Sequence, residues 1–119
     1  LNLAAKAVCA SAAVATAGGS GEQEVAEFQN SFLRHCGART VGASAARAAG
    51  VSVLMDQDAA LQDASDLGKN LVAAIREKRS FPDQDKAHDE FSQRMKQLVS
   101  YMADRYPFQY EHWEKLGWL

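Results

Sequence analysis

What the chain has little of narrows the field first. Charge of one sign is missing: 13 basic and 15 acidic residues leave a net charge of −2, and the two signs are interspersed. That balance excludes a nucleic-acid surface and a polybasic membrane patch. Cysteine occurs twice, as Cys9 and Cys36, with neither CxxC spacing nor a surrounding His/Cys cluster. A zinc centre is therefore excluded, and two reduced thiols in apolar surroundings fit a cytoplasmic protein. No run approaches the length and hydrophobicity of a membrane span. Leu1–Ala17 has one lysine and A-x-A spacing, but its apolar stretch is rich in alanine rather than leucine, which argues against a secretory signal. Internal repeats, low-complexity linkers and a side-chain constellation of acid, base and nucleophile are all missing. His35, His88 and His112 are scattered, and no residue is singled out as catalytic.

What is present centres on Ala12–Glu24, AAVATAGGSGEQE. Small apolar residues run into Gly18-Gly19, and a helix begins directly afterwards. Ala7–Thr16 lacks alternation, which suits a strand covered on both faces, as in a parallel sheet. Alanine also favours helix, so a helical interaction module in which Leu1–Thr16 is helical too stands beside the strand reading. Ser20, with Gln23 three residues on, makes a capping box for a helix over Glu22–Cys36. Val25, Phe28, Phe32, Leu33 and Cys36 form its expected buried stripe, and Gly37 its stop. A strand, a glycine turn and a helix N-terminus together present backbone N–H groups to an electron-rich ligand. The plainer reading is an ordinary glycine-rich strand-to-helix connection.

Arg39–Gly42 is a short candidate strand, 43–50 carries no clear signal, and Val51–Met55 reads as strand or core-facing loop. A second helix is expected over Asp58–Lys78, burying Leu61, Ala64, Gly68, Leu71, Val72 and Ile75. Gly68 in its middle is costly unless another backbone packs closely against it. Phe81-Pro82-Asp83 breaks the chain, with Asp83 as a candidate cap. A third helix with the stripe Phe91, Met95, Leu98, Val99, Met102 and Tyr106 then runs to Pro107. The tail concentrates Phe108, Tyr110, Trp113 and Trp118, an aromatic density that predicts docking on its own domain or on a partner. The alternation of strands and helices implies an α/β fold. Two or three strands leave apolar sheet edges unpaired, as in the second half of a doubly wound domain.

Several segments carry a family resemblance. ATAGGSGEQE, then FQNSFLRHCG, then VG, resemble the C-terminal half of flavodoxin-like NAD(P)H-dependent FMN reductases. That family has a T-x-G-G-type loop ending in G-x-Q-E and a helix with an F-F-L-R-H-G-like end. Asp66-Leu67-Gly68-Lys69 with Leu71-Val72 resembles the family's last helix. Tyr106–Leu119 resembles the terminal arm Y-P-x-x-Y-x-x-W-x-x-x-G-W-L of one branch. The resemblance implies a partial flavodoxin-like parallel sheet of two or three strands with flanking helices, an extra C-terminal helix and an aromatic terminal arm. It divides the chain into 1–80, the half-domain, and 81–119, the helix and arm. It also implies an FMN site in which Ala17, Gly18, Gly19, Ser20, Gly21 and Glu22 contact the isoalloxazine ring, with NAD(P)H as cosubstrate. Glu22 stands where the family usually has glycine, and the chain has no counterpart of the family's phosphate loop. The expected partner is accordingly another chain or the missing N-terminal half, in a homo- or hetero-oligomer. The alternative is a non-catalytic structural or interaction subunit that no longer binds flavin.

Overall fold

The computed structural model describes residues 9–17, 20–50, 53–54 and 56–119, with side chains for 20–49, 54 and 56–119. The chain divides into two compact units, Leu1–Phe81 and Pro82–Leu119. In the first unit, β1 (Cys9–Ala17) leads to α1 (Glu22–His35), β2 (Arg39–Gly50), β3 (Val53–Leu54) and α2 (Gln57–Arg76). The second holds α3 (Pro82–Tyr101) and α4 (Pro107–Lys115). The first unit is thus α/β, as the alternation of elements implies. The helical alternative for Leu1–Thr16 is overturned from Cys9 onward, where the chain is β1; residues 1–8 lie outside the described residues.

The sheet has the order β1-β2-β3. β1 and β2 are parallel, with α1 as their crossover, whereas the two-residue β3 turns back antiparallel to β2. The expected all-parallel sheet is therefore mixed. β2 is also much longer than the Arg39–Gly42 segment expected, because 43–50 continues the same strand despite its alanine content. Its pairing with β1 explains this: cross-strand bonds from Ala12↔Ala43 to Ala17↔Ala48 hold residues whose own propensity is weak. Between Ala10↔Thr40 and Ala12↔Ala43, β2 advances one residue more than β1, so the strand bulges at Val41-Gly42.

α1 and α2 each pack on both β1 and β2 with little contact between them, which places them on opposite faces of the sheet. Both turn unexpected sides inward. On α1, Ala26 and Asn30 are buried and Leu33 half-buried, while Val25, Phe28 and Phe32 are 43, 73 and 64% exposed. On α2, Ala74 is buried and Leu67, Asn70 and Leu71 half-buried, while Leu61, Ala64, Gly68, Val72 and Ile75 face outward. The expected buried stripes are corrected accordingly. An alanine-lined sheet admits helices at close range only through small side chains, so the bulkier apolar face is the one turned away. Two amides replace apolar anchors. Asn30 Nδ2 donates to the Gly42 carbonyl at 2.9 Å, and Asn70 Nδ2 donates to the Val41 carbonyl at 3.3 Å. Among the described residues, nothing beyond Gly68's neighbours and its own helix backbone stands within 4 Å of where a Cβ would be, so no other backbone among them packs against it as its position suggested.

Three helices share one ending. Gly37 has φ 90°, its N–H donates to Arg34 O, and the Ala38 N–H donates to Leu33 O. This is the Schellman arrangement, and it confirms Gly37 as the stop of α1. α4 ends likewise at Gly117, with Trp118 N–H on Trp113 O. α2 does so with Lys78 in the left-handed position, φ 51°.

In the second unit, Pro82 opens α3 and Asp83 lies in its first turn rather than before it. A proline at the first helical position has no N–H to leave unsatisfied. The helix ends at Tyr101, short of Tyr106, through a turn in which the Arg105 and Tyr106 N–H groups both donate to Met102 O. The aromatic tail is helical over Pro107–Lys115. The Trp113 and Trp118 rings meet edge to face with centroids 5.6 Å apart, clasping the α4 ending. Phe108 remains exposed, stacked on His112, so docking of the tail is only partial within its own unit.

Candidate functional site

The segment Ala17–Glu22 joins the carboxyl end of β1 to the start of α1. Ala17 is the last residue of β1, paired in register with Ala48. Gly18 and Gly19 lie outside the described residues. Ser20 is exposed and does not cap the helix; Gly21 holds the N-cap position, with no side-chain cap bond. Gly21 has φ 121°, a conformation that L side chains rarely adopt, and the nearest atom to a built Cβ is Glu24 Oε2 at 3.9 Å. The position thus requires glycine for its backbone rather than for space.

Glu22, the first residue of α1, sets its carboxylate at the positive end of the helix. A hydrogen bond from its own backbone N–H to its carboxylate is the largest influence holding the group below the usual carboxylate range. Partial burial opposes that shift; the Arg47 charge and hydrogen bond and the Gly21 N–H add to it. Arg47 Nη2 donates to Glu22 Oε1 at 3.1 Å, while Glu22 Oε2 is buried without a partner. Arg47 stands opposite Thr16 in the ladder, so this ion pair ties the first turn of α1 to the far end of β2. A carboxylate at the positive end of a helix is favourable on its own, and an adjacent guanidinium makes it more so.

Sequence reasoning misses three side chains that organise the start of α1 and its surroundings. Arg47 sits in the segment 43–50, which carries no clear signal. Asn30 and Asn70 interrupt apolar helical patterns, and that interruption is the one trace they leave in the sequence. Elsewhere among the described residues no chemical constellation forms. The His35 ring nitrogen Nδ1 lies 2.7 Å from Ser31 O, His112 stacks on Phe108, and His88 is half-buried on α3. Cys36 is a free, half-buried thiol. Among the described residues no group of three or more His, Cys, Asp or Glu could hold a metal ion. Among them, too, no helix is long and apolar enough to cross a membrane.

No protein-family model matches the chain, and no curated protein or solved structure matches it.

Proposed function

We propose that the chain is the C-terminal half of a flavodoxin-like, FMN-dependent NAD(P)H oxidoreductase, presenting the turn Ala17–Glu22 to the isoalloxazine ring. One observation supports the reading: β1 and β2 run parallel with α1 as their crossover, and Gly21 stands at the start of that helix, after the carboxyl end of β1. Open α/β sheets take their ligands at that edge. Gly21, bare and in a conformation reserved for glycine, lets a flat ring edge approach the backbone, and the start of α1 directs positive potential at it. The flavin would supply the hydride chemistry; Ala17, Gly18, Gly19, Ser20, Gly21 and Glu22 would orient its ring. Glu22, turned onto Arg47, leaves the turn without a loose acid. The phosphate end of FMN would be held by residues from outside this chain.

A second reading has its own support. The Glu22 carboxylate already satisfies the positive end of α1, and broad apolar faces of α1 and α2 are exposed. Both suit a half-domain that has given up flavin and acts by association.

Titrating the purified chain into FMN and into riboflavin, followed by flavin fluorescence anisotropy, separates the two. A site that meets only the ring binds both equally and weakly, with Kd of about 0.1–1 mM. FMN binding at least tenfold tighter than riboflavin would place a phosphate site in this chain, against the proposal. No binding of either would leave the association reading.

A further inference from the structure

The end of α2 carries an inference that does not depend on flavin. Of the 13 Lys and Arg residues, Lys78 and Arg79 are the one pair adjacent in sequence, and Arg76 stands two positions before them. The described Lys and Arg residues lie inside helices or strands, except for Lys78, Arg79 and Arg105. Arg105 follows an acid, Asp104, and lies over the Tyr106 ring, 5.8 Å from its centroid. The basic pair lies just past the end of α2, in a run 75–80 that is exposed throughout. That run closes the first compact unit, and the second opens with α3 at Pro82. Exposed segments at unit boundaries are where a chain is cut with least loss of structure.

Two local features govern access to this segment. A protease takes its substrate as an extended strand, so the closing turn of α2 must open. Its Glu77, Lys78 and Arg79 N–H groups donate to the Ala73, Ile75 and Ala74 carbonyls. The left-handed conformation of Lys78, φ 51°, strains that turn and lowers the cost of opening it. The Arg79 side chain is held separately. Its Nη1 donates to Asn70 Oδ1 at 2.6 Å and its Nη2 to Glu77 Oε2 at 3.5 Å. Asn70 in turn donates to the Val41 carbonyl, so Arg79 is latched to the sheet through a single amide.

We propose that Arg76–Ser80 is a processing site, cut after Arg79 by a protease whose acidic subsites read paired basic residues. Water is the second substrate: the Arg79–Ser80 peptide bond breaks, Arg79 gains a terminal carboxylate and Ser80 a terminal amine. The cut falls between α2 and α3, so it leaves the α/β unit and the helical pair on separate chains without severing an element. Release of Arg79 from Asn70, with opening of the last turn of α2, gates the reaction; unfolding of the whole unit is not required.

Intact-mass spectrometry of the full chain, during digestion by a subtilisin-type protease selective for paired basic residues, tests this. The first products are expected to be residues 1–79 and 80–119. Lys78→Gln keeps Arg79 but removes the pair, and should slow the cut about tenfold or more. Asn70→Ala removes the latch and should quicken the cut about fivefold, as the loss of one net hydrogen bond implies. Asn30→Ala, which weakens the unit without touching Arg79, should change the rate by less than about twofold. A chain left uncut, a first cut at another bond, a rate indifferent to Lys78→Gln, or a larger effect of Asn30→Ala than of Asn70→Ala would each overturn the proposal.

Discussion

Asn30 and Asn70, carried by helices on opposite faces of the sheet, donate to consecutive carbonyls of one strand, those of Gly42 and Val41. The bulge in β2 falls at these two residues, so the irregularity in the ladder is the point at which both helices are fastened. Asn30 is almost wholly buried and its Oδ1 has no partner. Replacing it by alanine would remove this bond from the part-buried Gly42 carbonyl, at a cost of about 1–3 kcal/mol. Asn70 makes a longer bond from a half-buried position, and Asn70→Ala should cost under about 1 kcal/mol. Urea unfolding followed by far-UV circular dichroism should show midpoints falling in that order, with unchanged slopes.

Gly68→Ala should stabilise the first unit by about 1 kcal/mol. The residue is in mid-helix and exposed, and no described residue beyond its neighbours and its own helix backbone stands within 4 Å of the added methyl group. Alanine therefore gains the full difference in helix propensity with no steric penalty. A loss of stability in the same urea experiment would mean that another surface approaches the helix there.

Lys78→Gly should stabilise by about 0.5–1 kcal/mol. Lys78 holds the left-handed position of the α2 ending that Gly37 and Gly117 hold in α1 and α4. A side chain there is strained, and glycine removes the strain at some cost in unfolded-state entropy. The thermal midpoint should rise by a few degrees.

How much of this could be read from the sequence varies along the chain. Glycine at position 37 and the approximate boundaries of α1 and α2 were legible because helix capping is local. Which face of each helix is buried was not. Periodicity finds the apolar stripe of Val25, Phe28 and Phe32, but the sheet beneath is made of alanine. Close approach to it selects Ala26 and Asn30 instead. The strand 43–50 was illegible for a related reason: its extended form is imposed by the ladder with β1, a long-range constraint that no window of residues contains. In the candidate site, Glu22 was visible as a residue of the turn. Its partner Arg47 could not be assigned, because only the β1–β2 register brings them together.

Acid should loosen this turn. Glu22 has a folded-state pKa below the ordinary 4.5, so the folded chain binds fewer protons at this group than the unfolded chain does. Its contribution to stability is complete above the unfolded value and disappears as pH falls through the folded one. Asp66, lowered by hydrogen bonds from Gln62 and then Lys69, acts in the same sense. Glu22→Gln should therefore flatten the decline in stability below pH 4.5 in part, leaving the Asp66 contribution in place. Urea midpoints measured from pH 7 to pH 3 for both proteins should converge at the acid end.

The clasp of Trp113 and Trp118 has a consequence for how this protein can be watched. Both tryptophans and all three tyrosines fall between positions 101 and 118, inside the second compact unit. The α/β unit contains neither residue type and is optically silent to excitation at tryptophan wavelengths. Emission thus follows the melting of one half of the chain, while circular dichroism follows both. Comparing the two transitions measures whether the halves unfold as one cooperative body, without introducing a label.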